Sequence, residues 1–203
     1  MRTLTIGAVV LLTGCLARAP LEQQSFLFNP PPPPAPKGAP GSRVLGIRTL
    51  EVAAPFEERA FVYRSGENSY DSDPYAGFMV VPAEGLVSPV CNWLRQAGAF
   101  SAVVEADSAV KPDAMVEIHV GQLYGDFRQS EKPTAVLAMR FVFLDASNGI
   151  PRNVILQREY SREIPLNART ATALIEGWNQ ALAQILDSVT LDFEHVETNS
   201  PAP

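Results

Sequence analysis

Few side chains in this sequence are suited to acid–base or nucleophilic chemistry. His119 and His195 are its two histidines, the groups that titrate nearest neutrality. Glu117, Glu159 and Glu163 fall in strand-like stretches and could approach one another, as paired carboxylates do in general acid–base catalysis. Carboxylates on a solvated sheet face account for them equally well. Asp71 and Asp73, two apart, could ligate calcium, but a calcium loop needs further oxygen donors at set intervals. Those are missing, so Asp71-Ser72-Asp73-Pro74 reads as a solvated loop. No Cys/His cluster has metal-ligand spacing, and there is no Gly-x-Ser-x-Gly elbow or phosphate-cradling glycine loop. The expectation is a protein that is not an enzyme, with no metal site and no cofactor.

The chemistry that can be read lies at the start of the chain. Leu12-Thr13-Gly14-Cys15 closes a short apolar run that follows Met1 and Arg2. The run falls short of the ~20 residues a bilayer-spanning helix needs. Its ending resembles the lipobox of bacterial lipoproteins, in which the segment before the Cys is removed and the Cys carries the lipid. Residues 1–14 are thus expected to be a signal peptide and Cys15 the acylated anchor. Leu16 is not the aspartate that commonly retains lipoproteins at the inner membrane. The expected location is the outer membrane, facing the periplasm. With Cys15 a thioether, Cys91 has no disulfide partner in the chain. It sits in an apolar helical pattern, where a buried inert thiol is the ordinary outcome and a reactive one the rarer.

Composition narrows the partners. The 203 residues are 46% hydrophobic and 19% charged, an ordinary globular balance. Losing Arg2 with the signal leaves 15 basic residues against 22 acidic ones. An acidic chain without a basic cluster is a poor match for nucleic acid or for anionic lipid headgroups.

Residues 15–41 hold the proline run Pro30–Pro34 and lack apolar periodicity, so they read as a lipidated, semi-rigid polyproline tether. At ~3.1 Å per residue such a tether could hold the domain up to ~80 Å from the lipid. A domain is expected over residues 42–192. It has strands at 44–52, 60–64, 68–71 and 101–106, and longer ones at 115–127, 134–145 and 153–164. A helical pattern covers 82–97, with Pro89 as its proper start after Ser88, and Gly98 as its stop. Asn167 is a candidate cap for a last long helix carrying Ile175, Trp178, Leu182, Ile185 and Val189. Trp93 and Trp178 occupy core positions of the two helices. Residues 193–203 read as a disordered tail holding His195. The fold class expected is α+β: a two-layer sandwich, its sheet mainly antiparallel, with both helices on one face.

One strand has two apolar faces. Leu137, Met139, Phe141 and Phe143 alternate with Val136, Ala138, Arg140, Val142 and Leu144. Helices can cover only one face of a two-layer domain, and an uncovered apolar face usually meets a partner. The second set is therefore the candidate protein contact, with a homo-oligomer as one use of it.

The signal and spacer, the Val44–Val52 strand closed by Pro55, the Arg59-Ala60-Phe61-Val62-Tyr63-Arg64 strand and the Asn68-Ser69-Tyr70 return form a pattern. Arg158-Glu159-Tyr160 and the Trp178 helix complete it. Together they resemble the ABC-type transport auxiliary lipoproteins over roughly residues 42–192. The family often carries Trp-Ala-Glu-Pro where this chain has Phe78-Met79-Val80-Val81-Pro82. The resemblance implies a non-catalytic periplasmic lipoprotein serving an ABC transporter that moves phospholipid between membranes. It also implies docking on that system's mammalian-cell-entry lipid carrier. An outer-membrane assembly lipoprotein acting as plug or chaperone, as in lipopolysaccharide export, is the alternative reading.

Overall fold

A computed structural model describes residues 23–36, 40–106, 108–149, 151 and 153–199. The expected signal peptide at residues 1–14, Cys15 and residues 200–203 lie outside the described residues. The spine of the fold is β6 (Ala114–Asp126). On one side of it, β7 (Thr134–Asp145) and β8 (Asn153–Pro165) follow as long antiparallel neighbours. Its other side is shared. β2 (Val44–Val52) pairs parallel with most of β6, and β3 (Ala60–Arg64) pairs parallel with its last two residues. β5 (Ala102–Val104) extends the sheet from β2; β4 (Tyr70–Phe78) and then β1 (Gln24–Phe26) extend it from β3. The parallel pairings follow from connectivity, since the chain travels from β2 to β6 by a long crossover that includes a helix. Helices α1 (Pro82–Ala97) and α2 (Ala171–Asn199) pack on one face and share its core. The expected α+β sandwich with a mostly antiparallel sheet is the fold observed.

Two bulges keep apolar residues inward. In β2 the register shifts between Ile47 and Thr49, so Leu45 and Ile47 point inward before Arg48, and Leu50 and Val52 after it. In β6 the extra residue is Gly121, between Val120 and Gln122. Val116, Ile118 and Val120 are buried before it and Leu123 after it. Each bulge offsets the period-2 alternation by one, so the apolar residues on both sides of it stay on the core face.

Helix α1 corrects one expectation. It runs unbroken from Pro82, the first helical residue, through Pro89. An interior proline costs ~3 kcal/mol. Holding the first turns buries Pro82 and Leu86, and a fully buried leucine alone contributes ~1.5–3 kcal/mol. Gly98 ends the helix in the left-handed region at φ 82°, and Phe100 is buried just beyond.

The expected free tether is corrected too. Its second half belongs to the domain. β1 pairs parallel with Ala76–Phe78 of β4. Phe26 stacks on Phe61 at 5.3 Å and Phe28 on Phe78 at 5.0 Å; Phe61 and Phe78 both pack on Trp178. The indole Nε1 of Trp93 donates to the Pro31 carbonyl oxygen, and the Asn29 amide donates to Asn179 Oδ1. Prolines lack donors but keep their carbonyls, so one well-placed indole N–H fixes the run against α1.

The C-terminal boundary moves as well. α2 continues to Asn199, so Phe193, at 1% exposed, and His195 are helical rather than part of a disordered tail. Phe193 packs on Phe100 and Phe143 at 4.7 and 4.9 Å. The helix is capped by Thr170, whose Oγ1 accepts from the Ala173 amide, not by Asn167. Asp71–Pro74 lies within β4, not in a loop. The Asp73 carboxylate accepts from the Tyr63 hydroxyl and from the amides of Tyr75 and Ala76, so its oxygens serve protein donors.

Candidate docking face

The alternation of β7 sorts its side chains. Leu137, Met139, Phe141 and Phe143 face the helices and are at most 1% exposed. On the opposite face the structure divides the five candidate contact residues. Val136 and Ala138 are only 2% and 3% exposed, so that end of the face is already closed within the chain. The cover is aromatic. Tyr124 stands opposite Val136 in register. Phe56, from a single 3-10 turn at Ala54–Phe56, stacks on Tyr124 at 5.8 Å, and Tyr70 meets Tyr124 edge-on at 5.5 Å. This corrects the expectation of a wholly uncovered face. The lid comes from residues distant in sequence.

The other end stays open. Val142 and Leu144 are half-buried and Arg140 is exposed between the covered and open halves. Register places His119 of β6 on one side of Arg140 and Glu159 of β8 on the other. Beyond His119, Arg48 pairs with Glu117 at 2.6 Å. Arg48, Glu51, Glu117, His119 and Arg140 line a shallow groove of about 220 Å³. The Arg48–Glu117 pair is solvent-exposed, and such pairs contribute ~0–1 kcal/mol, so this charged band does little to hold the fold. Among the described residues no hydrogen bond or ion pair engages the Arg140 side chain. It has the open route to solvent that a charge on this face requires.

The carboxylates do not converge. Glu117 opposes Val142, Glu159 opposes Arg140 and Glu163 opposes Val136. β7 runs between Glu117 and the other two, which sets them two strand spacings, ~10 Å, apart. Among the described residues no three His, Cys, Asp or Glu side chains are grouped to hold a metal ion. Trp178, fully buried, donates from Nε1 to the Val136 carbonyl at 3.1 Å. Trp93 is buried too, but its indole has the strap-holding role that sequence periodicity did not suggest. Cys91 is 1% exposed, and burial, reinforced by the charge of Glu105 and opposed by Arg95, pushes its thiol up to about 11.

On the edge of the sheet, β8 is locked to α2 by side chains. Tyr160 Oη donates to Asp192 Oδ2 at 2.7 Å and Arg158 pairs with the same oxygen at 2.6 Å. Burial opposes the Asp192 charge, but these two donors outweigh it and hold the carboxyl below its ordinary range. Burial, then the bond to Asp192, pushes the Tyr160 hydroxyl above its own.

The same architecture occurs in solved structures. Protein XCC0632 from Xanthomonas campestris matches with a TM-score of 0.73 at 17% identity, over 87% of this chain and 100% of that one. A crystal structure of an uncharacterized protein matches with a TM-score of 0.62 at 11% identity, over 86% of this chain and 97% of that one. At such identities the likeness speaks for the fold alone. No curated protein matches the chain. The family model described as ABC-type transport auxiliary lipoprotein component matches residues 26–190. That span begins in β1, takes in the proline strap and ends within α2. The chain belongs to the ABC-type transport auxiliary lipoprotein component family.

Proposed function

We propose that this protein is the non-catalytic auxiliary lipoprotein of an ABC-type system moving phospholipid between membranes. In this reading Cys15 carries the lipid, the anchor sits in the outer membrane, and the domain faces the periplasm. It docks on the mammalian-cell-entry lipid carrier of the transporter. The observation that carries the proposal is the family match, which spans nearly the whole described domain. The open half of the β7 face supports it, since Arg140, Val142 and Leu144 combine a free charge with half-buried apolar groups. A charge at the rim of an apolar patch gives register and selectivity to a docking surface.

Co-purification of the lipidated chain with the mammalian-cell-entry protein of its own organism tests the docking. Retention is expected, and Val142→Asp is expected to abolish it while circular dichroism stays native. A folded wild-type chain that is never retained would sink the proposal. Retention by the carrier with Val142→Asp unchanged would move docking to another face. Self-association through this face is the other outcome, read by sedimentation of the same variant.

A further inference from the structure

We infer that the outer side of the β1–β4 corner is a membrane-contacting surface, seated on the lipid bilayer that holds the Cys15 anchor. It rests on the proposed acylation of Cys15. The large apolar side chains left exposed are not evenly spread. Leu27 is 58% exposed, Met79 50%, Tyr75 48% and Val80 36%. Strand alternation puts Leu27 and Met79 on one side. Leu27 lies between Phe26 and Phe28, which both pack into the core, so it points the other way. Met79 follows the buried Phe78 directly after β4 in the same manner, and Tyr75 precedes the buried Ala76 in the stretch of β4 where its register with β3 shifts. The β1–β4 register pairs Phe26 with Phe78, and the Met79 amide donates to the Phe26 carbonyl. The next step of that register sets Leu27 beside Met79. Val80 follows directly and leads into α1.

The occupant is indicated by where the chain leaves the domain. The segment preceding β1 carries Cys15, nine residues before Gln24. Fully extended, nine residues reach at most ~32 Å. A domain of this size measures roughly 40 Å across. An anchored domain therefore cannot turn its far side to the lipid, and the β1 corner stays within ~32 Å of the bilayer. Because the proline run is stapled to the domain, it adds nothing to this reach. The rim of the patch suits headgroups of mixed charge. Arg59 is exposed and held at the patch by its Nε hydrogen bond to the Phe78 carbonyl, while exposed Glu57 and Glu58 precede it. Apolar side chains beside such a rim fit a zwitterionic surface better than an anionic one.

Fluorophore quenching in vesicles tests the inference on the full lipidated chain. Met79→Cys and, as a control, Val154→Cys are labelled separately with a fluorophore; Cys91 is buried and leaves the introduced thiol as the reactive one. Val154 is 57% exposed on β8, at the opposite side of the sheet. Each protein is reconstituted in phosphatidylcholine–phosphatidylethanolamine vesicles containing nitroxide-labelled lipid, and acylation of Cys15 is read by mass. The expected result is several-fold stronger quenching at position 79 than at 154, lost in the Leu27→Ser/Val80→Ser background. With Cys15 acylated and equal quenching at both positions, the patch proposal falls while the anchor stands. If Cys15 carries no lipid, both fall. A label at 79 shielded from water-soluble quencher yet out of reach of the lipid nitroxide means that protein covers the patch, and overturns the lipid assignment.

Discussion

The indole Nε1 of Trp93 donates to the carbonyl oxygen of Pro31 at 2.9 Å, joining α1 to a residue 62 positions earlier. This single bond ties the polyproline run along the helical layer. It turns what composition presents as a spacer into a strap. A neutral hydrogen bond of this kind contributes ~0.5–1.5 kcal/mol net. Trp93→Phe should therefore lower stability by about 1 kcal/mol and open residues 29–36 to limited proteolysis, while β1 stays paired through Phe26 and Phe28. Unchanged cleavage of the strap would show that the bond is not what holds it.

Gly177 lies in α2 where the helix meets β7. A Cβ there would sit 2.7 Å from the Ala135 Cβ and 2.7 Å from Leu166 Cδ2. Helix propensity favours Gly177→Ala by up to ~1 kcal/mol. Overpacking costs ~1–3 kcal/mol, and the Ala135 methyl cannot swing away. The substitution should lower the midpoint of urea unfolding; a stabilised protein would mean that α2 lifts off the sheet freely.

The Tyr160–Asp192–Arg158 contact predicts an acid limb. Asp192 has a folded-state pKa below its unfolded value, so its contribution is present above the unfolded pKa of about 3.9 and is lost as pH falls through the folded value. Asp126, held low first by its hydrogen bond from Arg128, acts in the same window. Stability should be level from neutrality down to about pH 5 and fall steeply below about pH 4. Asp192→Asn should start from lower stability and show a shallower acid limb in unfolding series. An identical limb in both proteins would remove Asp192 from the account.

Alkaline pH acts through Cys91. Its folded pKa is raised to about 11, so the stability it contributes is full below the unfolded value and lost as pH rises through about 11. The thiol should resist alkylation by iodoacetamide at pH 8 in the native protein and react promptly once urea unfolds it. Rapid native-state modification would contradict its burial.

Sequence by itself determined the elements whose side chains carry a strong period. β7 was legible to the residue, because an unbroken β-branched, aromatic and apolar run is bounded by Pro133 on one side and the Asn148-Gly149 turn on the other. Gly98 as the stop of α1 and the buried face of α2 were equally plain, since one glycine or one apolar stripe suffices to specify them. Cys15 as an expected anchor rests on four adjacent residues and needs no fold. Tertiary structure decided what depends on contacts between distant segments. The strap is invisible locally because prolines carry no period, and it takes β4, Trp93, Phe61 and Asn179 to make residues 24–36 part of the domain. Pro89 argued for a helix start until the burial of Leu86 outweighed it. Val136 and Ala138 looked free because their cover, Phe56, Tyr70 and Tyr124, comes from three other parts of the chain. Each strand displays its two faces in its own residues, but which face stays open is settled only when the rest of the chain has packed.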